Sequence, residues 1–365
     1  MKVLISGGGT AGHINPAIAI GTWLVNQGAK VLYIGSDGAL EEKLYSKTGC
    51  VYHRFFSKGL DRKHLLRNFK ILATDYKAYK SIQKVVEDFR PDVGVSTGGY
   101  ISALSMYALH KKRIPFLVHE QNAYPGLTTK LLSAWAKIYA LAFYEAKPFL
   151  KHPERSVLTG NPIRQDFLTI NKQDARKKLN LPENAPVVLC FGGSLGAQKL
   201  NDAFATLIPK AQENGIHLII GTGSRYHDEF LAKIKDISFD SNQIRITQYI
   251  DDMPAVLTAC DVAVTRAGAM TVSELCALKK PSILIPSPNV TANHQDKNAH
   301  ALVTLGGAVK IAESDLTGEK LYESLSNLIN NPEKLSGMSD ALTPLSITDG
   351  DKRIGELVEK IASRA

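Results

Sequence analysis

A chain of 365 residues with 44% hydrophobic content is long enough for two domains with separate cores, which excludes a disordered or fibrous protein. Its 44 Lys and Arg against 35 Asp and Glu leave a formal charge of +9, which favours an anionic partner such as a phosphate-bearing substrate or an acidic membrane surface. No RNA- or DNA-binding motif accompanies the charge, so nucleic acid is set aside. No apolar run approaches the roughly 20 residues needed to span a bilayer, and Met1-Lys2 leads directly into a strand; the expectation is a cytosolic chain.

In chain order, Lys2 to Ser6 reads as a strand and Gly7-Gly-Gly-Thr-Ala-Gly-His13 as a glycine loop. Asn15-Pro16 reads as a cap with proline at the first helical position, opening a helix that carries Ala17, Ile18, Ile20, Leu24 and Val25. Strand, glycine loop and helix in succession make an anion site, because free N–H groups meet the positive end of the helix dipole. Gly7, Gly9 and Gly12 also satisfy G-x-G-x-x-G, and Asp37 follows the second strand (Val31 to Gly35) where a ribose-binding acid is expected. An NAD(P)-binding oxidoreductase therefore competes at this point. His13 is the one imidazole in a glycine loop: it either bonds the turn backbone or, neutral beside a pyrophosphate, accepts a proton from an attacking hydroxyl.

Lys58 to Phe89 is basic and aromatic. Phe69, Leu72, Tyr76 and Tyr79 recur at helical spacing among Arg62, Lys63, Arg67, Lys70, Lys77, Lys80 and Lys84. Either the stripe packs on a sheet, or it enters a lipid boundary while the cations meet acidic head groups. Further strands are read at Asp92 to Ser96 and Ile114 to Val118, each followed by a polar or glycine turn (Thr97-Gly-Gly-Tyr100, His119-Glu-Gln-Asn122) at the sheet edge where open α/β folds bind ligands. Thr159-Gly-Asn-Pro-Ile-Arg164 suits an interdomain connection. The opening pattern then repeats: strand Val187 to Phe191, turn Gly192-Gly-Ser-Leu-Gly-Ala197, helix from Lys199.

The stretch from Thr265 to Ala299 is the densest. A strand ends at Thr265, Ala267-Gly-Ala269 turns, and a helix follows with Val272, Leu275, Cys276 and Leu278 on its apolar face. Glu274 has two readings: the far end of a capping box with Thr271, or an acceptor for a nucleotide's ribose hydroxyls. Thr348-Asp-Gly-Asp351 has metal-type D-x-D spacing, but it precedes a helix with no strand before it, so capping is the better reading and no obligatory metal or cofactor is inferred. Cys50, Cys190, Cys260 and Cys276 are scattered, the last three in apolar contexts that suit free packed thiols.

GGGTAGHINPA, TGGYIS, HEQNAYPGLT, TGNPIR, GGSLGAQ, YIDDM and RAGAMTVSE with HQDKNA occur together and in order. This set resembles the MurG family, bacterial transferases that move N-acetylglucosamine from UDP-GlcNAc to lipid I, giving lipid II. The resemblance implies an α/β chain of the glycosyltransferase B type, two Rossmann-like domains facing a cleft, divided as 1–163, 164–340 and a C-terminal helical segment 341–365 that packs back on the first domain. It implies that Ile250 and Ala269, Met270, Thr271, Val272, Ser273 and Glu274 hold uracil, phosphate and ribose. Ser194 and Arg164 would approach the diphosphate, Gln295 and Asn122 the sugar, and Thr10, Ala11, Gly12 and the catalytic candidate His13 would complete the cleft. Gly98, Gly99 and Tyr100 become candidates for the acceptor's pyrophosphate. Phe69, Leu72, Tyr76 and Tyr79 become candidates for peripheral docking on the anionic cytoplasmic leaflet. The motifs name no protein partner. A UDP-GlcNAc 2-epimerase of the same fold, an oxidoreductase and a non-catalytic membrane adaptor stay open as alternatives.

Overall fold

A computed structural model describes residues 1–36, 49–55 and 68–363. Asp37 and the 58–67 part of the basic stretch lie outside the described residues, as do the side chains of Phe69 and Leu72. The chain separates into two compact units, Met1–Ile163 with Ile347–Ala365, and Arg164–Ser346. The second unit thus runs to Ser346 rather than 340, because Leu342 packs against Gly307 and Ser346 Oγ donates to the Ala277 carbonyl at 3.1 Å.

The first unit is built on seven strands: β1 (Lys2–Gly7), β2 (Lys30–Ser36), β3 (Val51–Phe55), β4 (Val93–Gly98), β5 (Phe116–Glu120), β6 (Ile138–Leu141) and β7 (Ser156–Leu158). They pair in parallel in the order β3-β2-β1-β4-β5-β6-β7. Parallel strands are buried on both faces and so read as continuous apolar runs, as Val3, Leu4 and Ile5 do here. Val3 and Ile5 meet Ile14, Ala17, Ile20 and Leu24, together with Ile354, Val358 and Ile361 of the last helix, Gly350–Ala362. Leu4 meets Ile82, Val86, Met106 and Leu109 on the opposite face.

Three local expectations change. The first helix spans Ala11–Asn26, more than a turn before the Asn15-Pro16 start, with Pro16 inside it. Thr10 is extended and its carbonyl accepts from the N–H groups of His13 and Ile14 (3.0 and 3.1 Å), which starts the helix. Proline at the sixth helical position then removes only the donor that would reach the Gly12 carbonyl, and its fixed φ suits the helix. In the helix Asn68–Phe89, the buried face is Asp75, Ala78, Ile82 and Val86, with Tyr79 packed at its edge, while Tyr76 is 61% exposed. The aromatic stripe therefore divides at its C-terminal end, Tyr79 toward the core and Tyr76 toward solvent. Asp349 is the cap residue of the last helix, but its side chain makes no cap bond and accepts from Arg353 Nε at 2.7 Å instead.

The second unit repeats the plan with β8 (Val187–Phe191), β9 (His217–Gly221), β10 (Ile244–Thr247), β11 (Val262–Thr265), β12 (Ser282–Leu284) and β13 (Ala308–Lys310), parallel in the order β10-β9-β8-β11-β12-β13. Val188, Cys190, Leu218, Ile220, Val262, Val264 and Ile283 fill its core. In each unit the strand order reverses beside the first strand, between β1 and β4 and between β8 and β11. Open α/β sheets bind ligands outside the carboxyl ends of the strands at such a reversal.

Candidate functional site

In the first unit the loops after β1 and β4 are pressed together. Gly98 and Gly99 have φ of +100° and +83°, and a Cβ on Gly98 would lie 2.7 Å from the His13 ring while one on Gly99 would collide with the Gly8 carbonyl. Only glycine meets both demands, a left-handed backbone and no side chain. Thr97 Oγ1 donates to the His13 carbonyl at 2.8 Å, locking the two loops. Thr10 and Ala11 are exposed and Gly12 is half-buried. At the first turn of the helix, the N–H groups of Ala11 and Gly12 have no acceptor inside it. Ala11 lies within the helix and has no positive φ, so the position does not require glycine.

His13 lies in the first helical turn rather than in a loop. Its Nδ1 is 3.2 Å from Gln121 Oε1, and Gln121 Nε2 donates to the Thr97 carbonyl at 2.9 Å. Beside Gln121, Glu120 is 2% exposed and accepts from the Asn122 N–H and Nδ2 (3.0 and 3.1 Å) and from the Gly126 N–H (3.1 Å). A buried carboxylate thus shapes the turn that presents Asn122. Tyr100 opens the helix Tyr100–Lys111 directly after the Gly99 cap. Burial and then a hydrogen bond with Asp75 push its phenol up to about 12, so it stays protonated as a donor.

In the second unit the turn Gly192–Ala197 and the helix Ala269–Ala277 are the corresponding parts. Ser194 is exposed at the tip of the turn, and its carbonyl accepts from the Ser224 N–H at 3.0 Å. The helix is capped by Gly268 in extended conformation, and its first bond to that cap runs from the Val272 N–H to the Gly268 carbonyl at 2.9 Å. The N–H groups of Ala269, Met270 and Thr271 therefore have no acceptor within the helix. This excludes the capping box, because Thr271 is the third helical residue and not the cap. It also separates Val272 and Ser273, both buried, from the open N–H groups: Val272 packs beneath the site and its N–H is occupied.

Glu274 is half-buried in the second helical turn. Burial raises its carboxyl to about 7, with the Arg164 guanidinium opposing and the Asp166 carboxylate adding to the rise. Arg164, itself ion-paired to Asp166, keeps 63% of its side chain exposed. Ile250 is buried against Gly221, where a Cβ would lie 2.9 Å from its Cδ1.

On the other side, the turn Gly192–Ala197, Arg266, Ser287, Asn289, Gln295 and Glu313 line a cavity of about 560 Å³. Gln295 Oε1 accepts from the Ser287 N–H at 2.9 Å, and it follows two non-glycine residues in the left-handed region, Ala292 and Asn293 (φ +54° and +52°). Such strain persists where the surroundings enforce it and clusters at ligand sites. Arg266 donates to the carbonyls of Ile285 and Pro286 (3.1 and 3.3 Å) and pairs with Glu313, so a cation is fixed in the cavity wall. Asn298 Nδ2 ties the helix His294–Leu305 to the Ala267 carbonyl at 3.1 Å.

The structure thus gathers His13, Gly98 and Gln121 in one unit. In the other, Ser194 and Gln295 share a cavity, and Glu274 and Arg164 share an electrostatic environment. Gln121, Glu120, Arg266, Glu313 and Asn298 were not singled out from sequence. Their signal was weak, a polar residue inside a motif whose more prominent members drew the assignment.

Comparison with known proteins gives a consistent result. Residues 187–354 match the model of the glycosyltransferase family 28 C-terminal domain, and residues 3–140 that of the family 28 N-terminal domain. Over 364 residues the chain is 40% identical to the UDP-N-acetylglucosamine–N-acetylmuramyl-(pentapeptide) pyrophosphoryl-undecaprenol N-acetylglucosamine transferase of Acetivibrio thermocellus, covering 99% of this chain and 98% of that one. Among solved structures it is similar to Acinetobacter baumannii MurG (TM-score 0.79, 23% identity, 98% and 99% of the two chains). It is also similar to UDP-GlcNAc 2-epimerase from Neisseria meningitidis bound to UDP-GlcNAc (TM-score 0.68, 16% identity, 99% and 100%). At these identities the two structures speak to the fold alone, a glycosyltransferase B fold of two parallel α/β sheets.

Proposed function

This chain belongs to glycosyltransferase family 28, and from that premise we propose that it transfers N-acetylglucosamine, with inversion, from UDP-GlcNAc to the muramyl 4-hydroxyl of lipid I, giving lipid II for peptidoglycan synthesis. The observation that carries this reading is the 40% identity, along the whole length of both chains, to a relative named for that transfer. The local geometry supplies a chemistry for it.

In the second unit, the open N–H groups of Ala269, Met270 and Thr271 at a helix N-terminus suit the diphosphate, with Ser194 and Arg164 adding donors. Glu274 accepts from the ribose hydroxyls, Ile250 offers an apolar surface to the base, and Gln295 reaches the sugar beside Arg266. In the first unit, Gly98, Gly99 and Tyr100 receive the acceptor's pyrophosphate. The 4-hydroxyl oxygen attacks C1 of the sugar as the bond from C1 to the UDP oxygen breaks, and the hydroxyl proton passes to His13. The departing negative charge falls on a phosphate held by the helix N-terminus, an electrostatic contribution already in place before reaction. In-line attack by a held hydroxyl also removes the entropy of a bimolecular encounter.

Among the described residues no helix is long and apolar enough to cross a membrane. We propose peripheral docking on an anionic cytoplasmic leaflet through the segment that carries Phe69, Leu72 and Tyr76. Exposure of Tyr76 with Lys80 Nζ 5.7 Å from its ring supports this part, whereas Tyr79 packs inward.

The test is UDP release from UDP-GlcNAc with and without a short-chain lipid I analogue. Acceptor-dependent release is expected. Turnover of UDP-GlcNAc alone to its 2-epimer identifies the epimerase instead, and NAD(P) binding without UDP binding identifies the oxidoreductase.

A further inference from the structure

The polar contacts behind His13 form a chain in which each partner's hydrogen-bonding sense dictates the next. The Thr97 carbonyl can only accept, so the group of Gln121 that faces it at 2.9 Å is the amide NH2. The same NH2 lies 3.1 Å from His119 Nδ1. His119 is wholly buried, and burial lowers its imidazole to about 4, so it is neutral; because the NH2 opposite can only donate, its Nδ1 accepts. The Thr97 carbonyl and the His119 carbonyl, 3.3 Å from the same NH2, together with this Nδ1 therefore fix the Gln121 amide, which is itself only 2% exposed, with its carbonyl oxygen toward His13. An amide oxygen 3.2 Å from His13 Nδ1 requires that nitrogen to carry the proton. The ring cannot turn away easily, because it sits so close to Gly98 that even a Cβ there would lie 2.7 Å from it, and the His13 carbonyl is held by Thr97 Oγ1.

We infer that Gln121 is a positioning residue for His13: it holds the imidazole as the Nδ1–H tautomer, so that the unprotonated Nε2 is the atom that receives the acceptor's hydroxyl proton. The inference rests on the reading of His13 as the base and adds which nitrogen acts and what selects it. In isolation a neutral imidazole populates both tautomers, and a base presented with its proton on Nε2 cannot accept there. A third group that orients the base is a recurring requirement of such sites. Here that group is a buried amide, oriented by two carbonyls and a second imidazole.

The test has two parts. In wild-type protein labelled with 15N-histidine, without substrates, the His13 signals, assigned by their loss in His13→Gln, should show a protonated Nδ1 and an unprotonated Nε2. Gln121→Met, which keeps the volume and removes every side-chain hydrogen bond of Gln121, should shift His13 toward the Nε2–H form and lower kcat about 10- to 100-fold, with UDP affinity unchanged. Finding Nε2–H in the wild type overturns the inference even if Gln121→Met does not fold, and so does a Gln121→Met protein with the wild-type tautomer and kcat. A His13→Ala variant with wild-type kcat fails differently: it removes the base assignment on which the inference rests.

Discussion

Glu274→Gln separates the functional from the structural reading of the carboxylate, because the two predict opposite signs in stability. A carboxylate that accepts from both ribose hydroxyls makes two charge-assisted hydrogen bonds, each contributing about 1.5–3 kcal/mol. An amide keeps one acceptor, so the expected loss is about 2–4 kcal/mol, roughly 30- to 1000-fold in UDP affinity. Fold stability should not fall, since Thr271 is not a cap and no capping box is broken. In the free protein the carboxyl is raised to about 7, above the unfolded value of about 4.3. Its contribution to stability is therefore present below about 4.3 and lost as pH rises through 7. At pH 8 the ionised group destabilises the free protein, and Gln relieves that. We expect a thermal midpoint equal to or above wild type at pH 8, with UDP binding by calorimetry weakened by the factor above. Because the donor needs the ionised form, wild-type affinity should also rise between pH 6 and 8, whereas the Gln variant stays flat. A midpoint lowered by several degrees together with unchanged UDP affinity would refute the reasoning.

His13→Ala should lower kcat by roughly 10² to 10⁴, the usual worth of a positioned base, with UDP affinity unchanged; a defect confined to KM makes His13 a binding residue. His119 is held neutral at about 4 against about 6.5 unfolded, so its stabilising effect is present above 6.5 and lost as pH falls toward 4, about 3 kcal/mol in all. Unfolding free energies from urea titrations at pH 7 to 4 should fall by that much less in His119→Asn, and parallel curves for the two proteins would contradict the assignment. Changing Phe69 and Leu72 to Ser should reduce sedimentation with acidic vesicles and slow turnover of long-chain lipid I, leaving a short-chain acceptor unaffected. Equal loss on both acceptors makes those residues core.

Much of the architecture was legible because parallel strands advertise themselves. Runs such as Val3 to Ile5 and Val187 to Phe191 are buried on both faces, and each is followed by glycines that a tight turn before a helix requires. Helix starts were less legible. Asn15-Pro16 and Thr271 to Glu274 each satisfy a start pattern, yet both lie inside helices whose caps, Thr10 and Gly268, are set by extended backbone and make no side-chain cap bond. The resemblance supplied roles for His13 and Glu274, but not the contacts that tune them. Gln121 is 108 residues from His13 and Asn298 is 31 from Ala267, and no local pattern encodes such pairs. Val272 shows the converse: a member of the motif whose side chain belongs to the core and whose N–H is already taken.

The central claim is tested most directly by the structure of the product. The protein is incubated with UDP-GlcNAc and a short-chain lipid I analogue, and the linkage is read by NMR. The account predicts a β(1→4) GlcNAc–MurNAc disaccharide formed one for one with UDP. An α-linked product, or conversion of UDP-GlcNAc that ignores the acceptor, would contradict it.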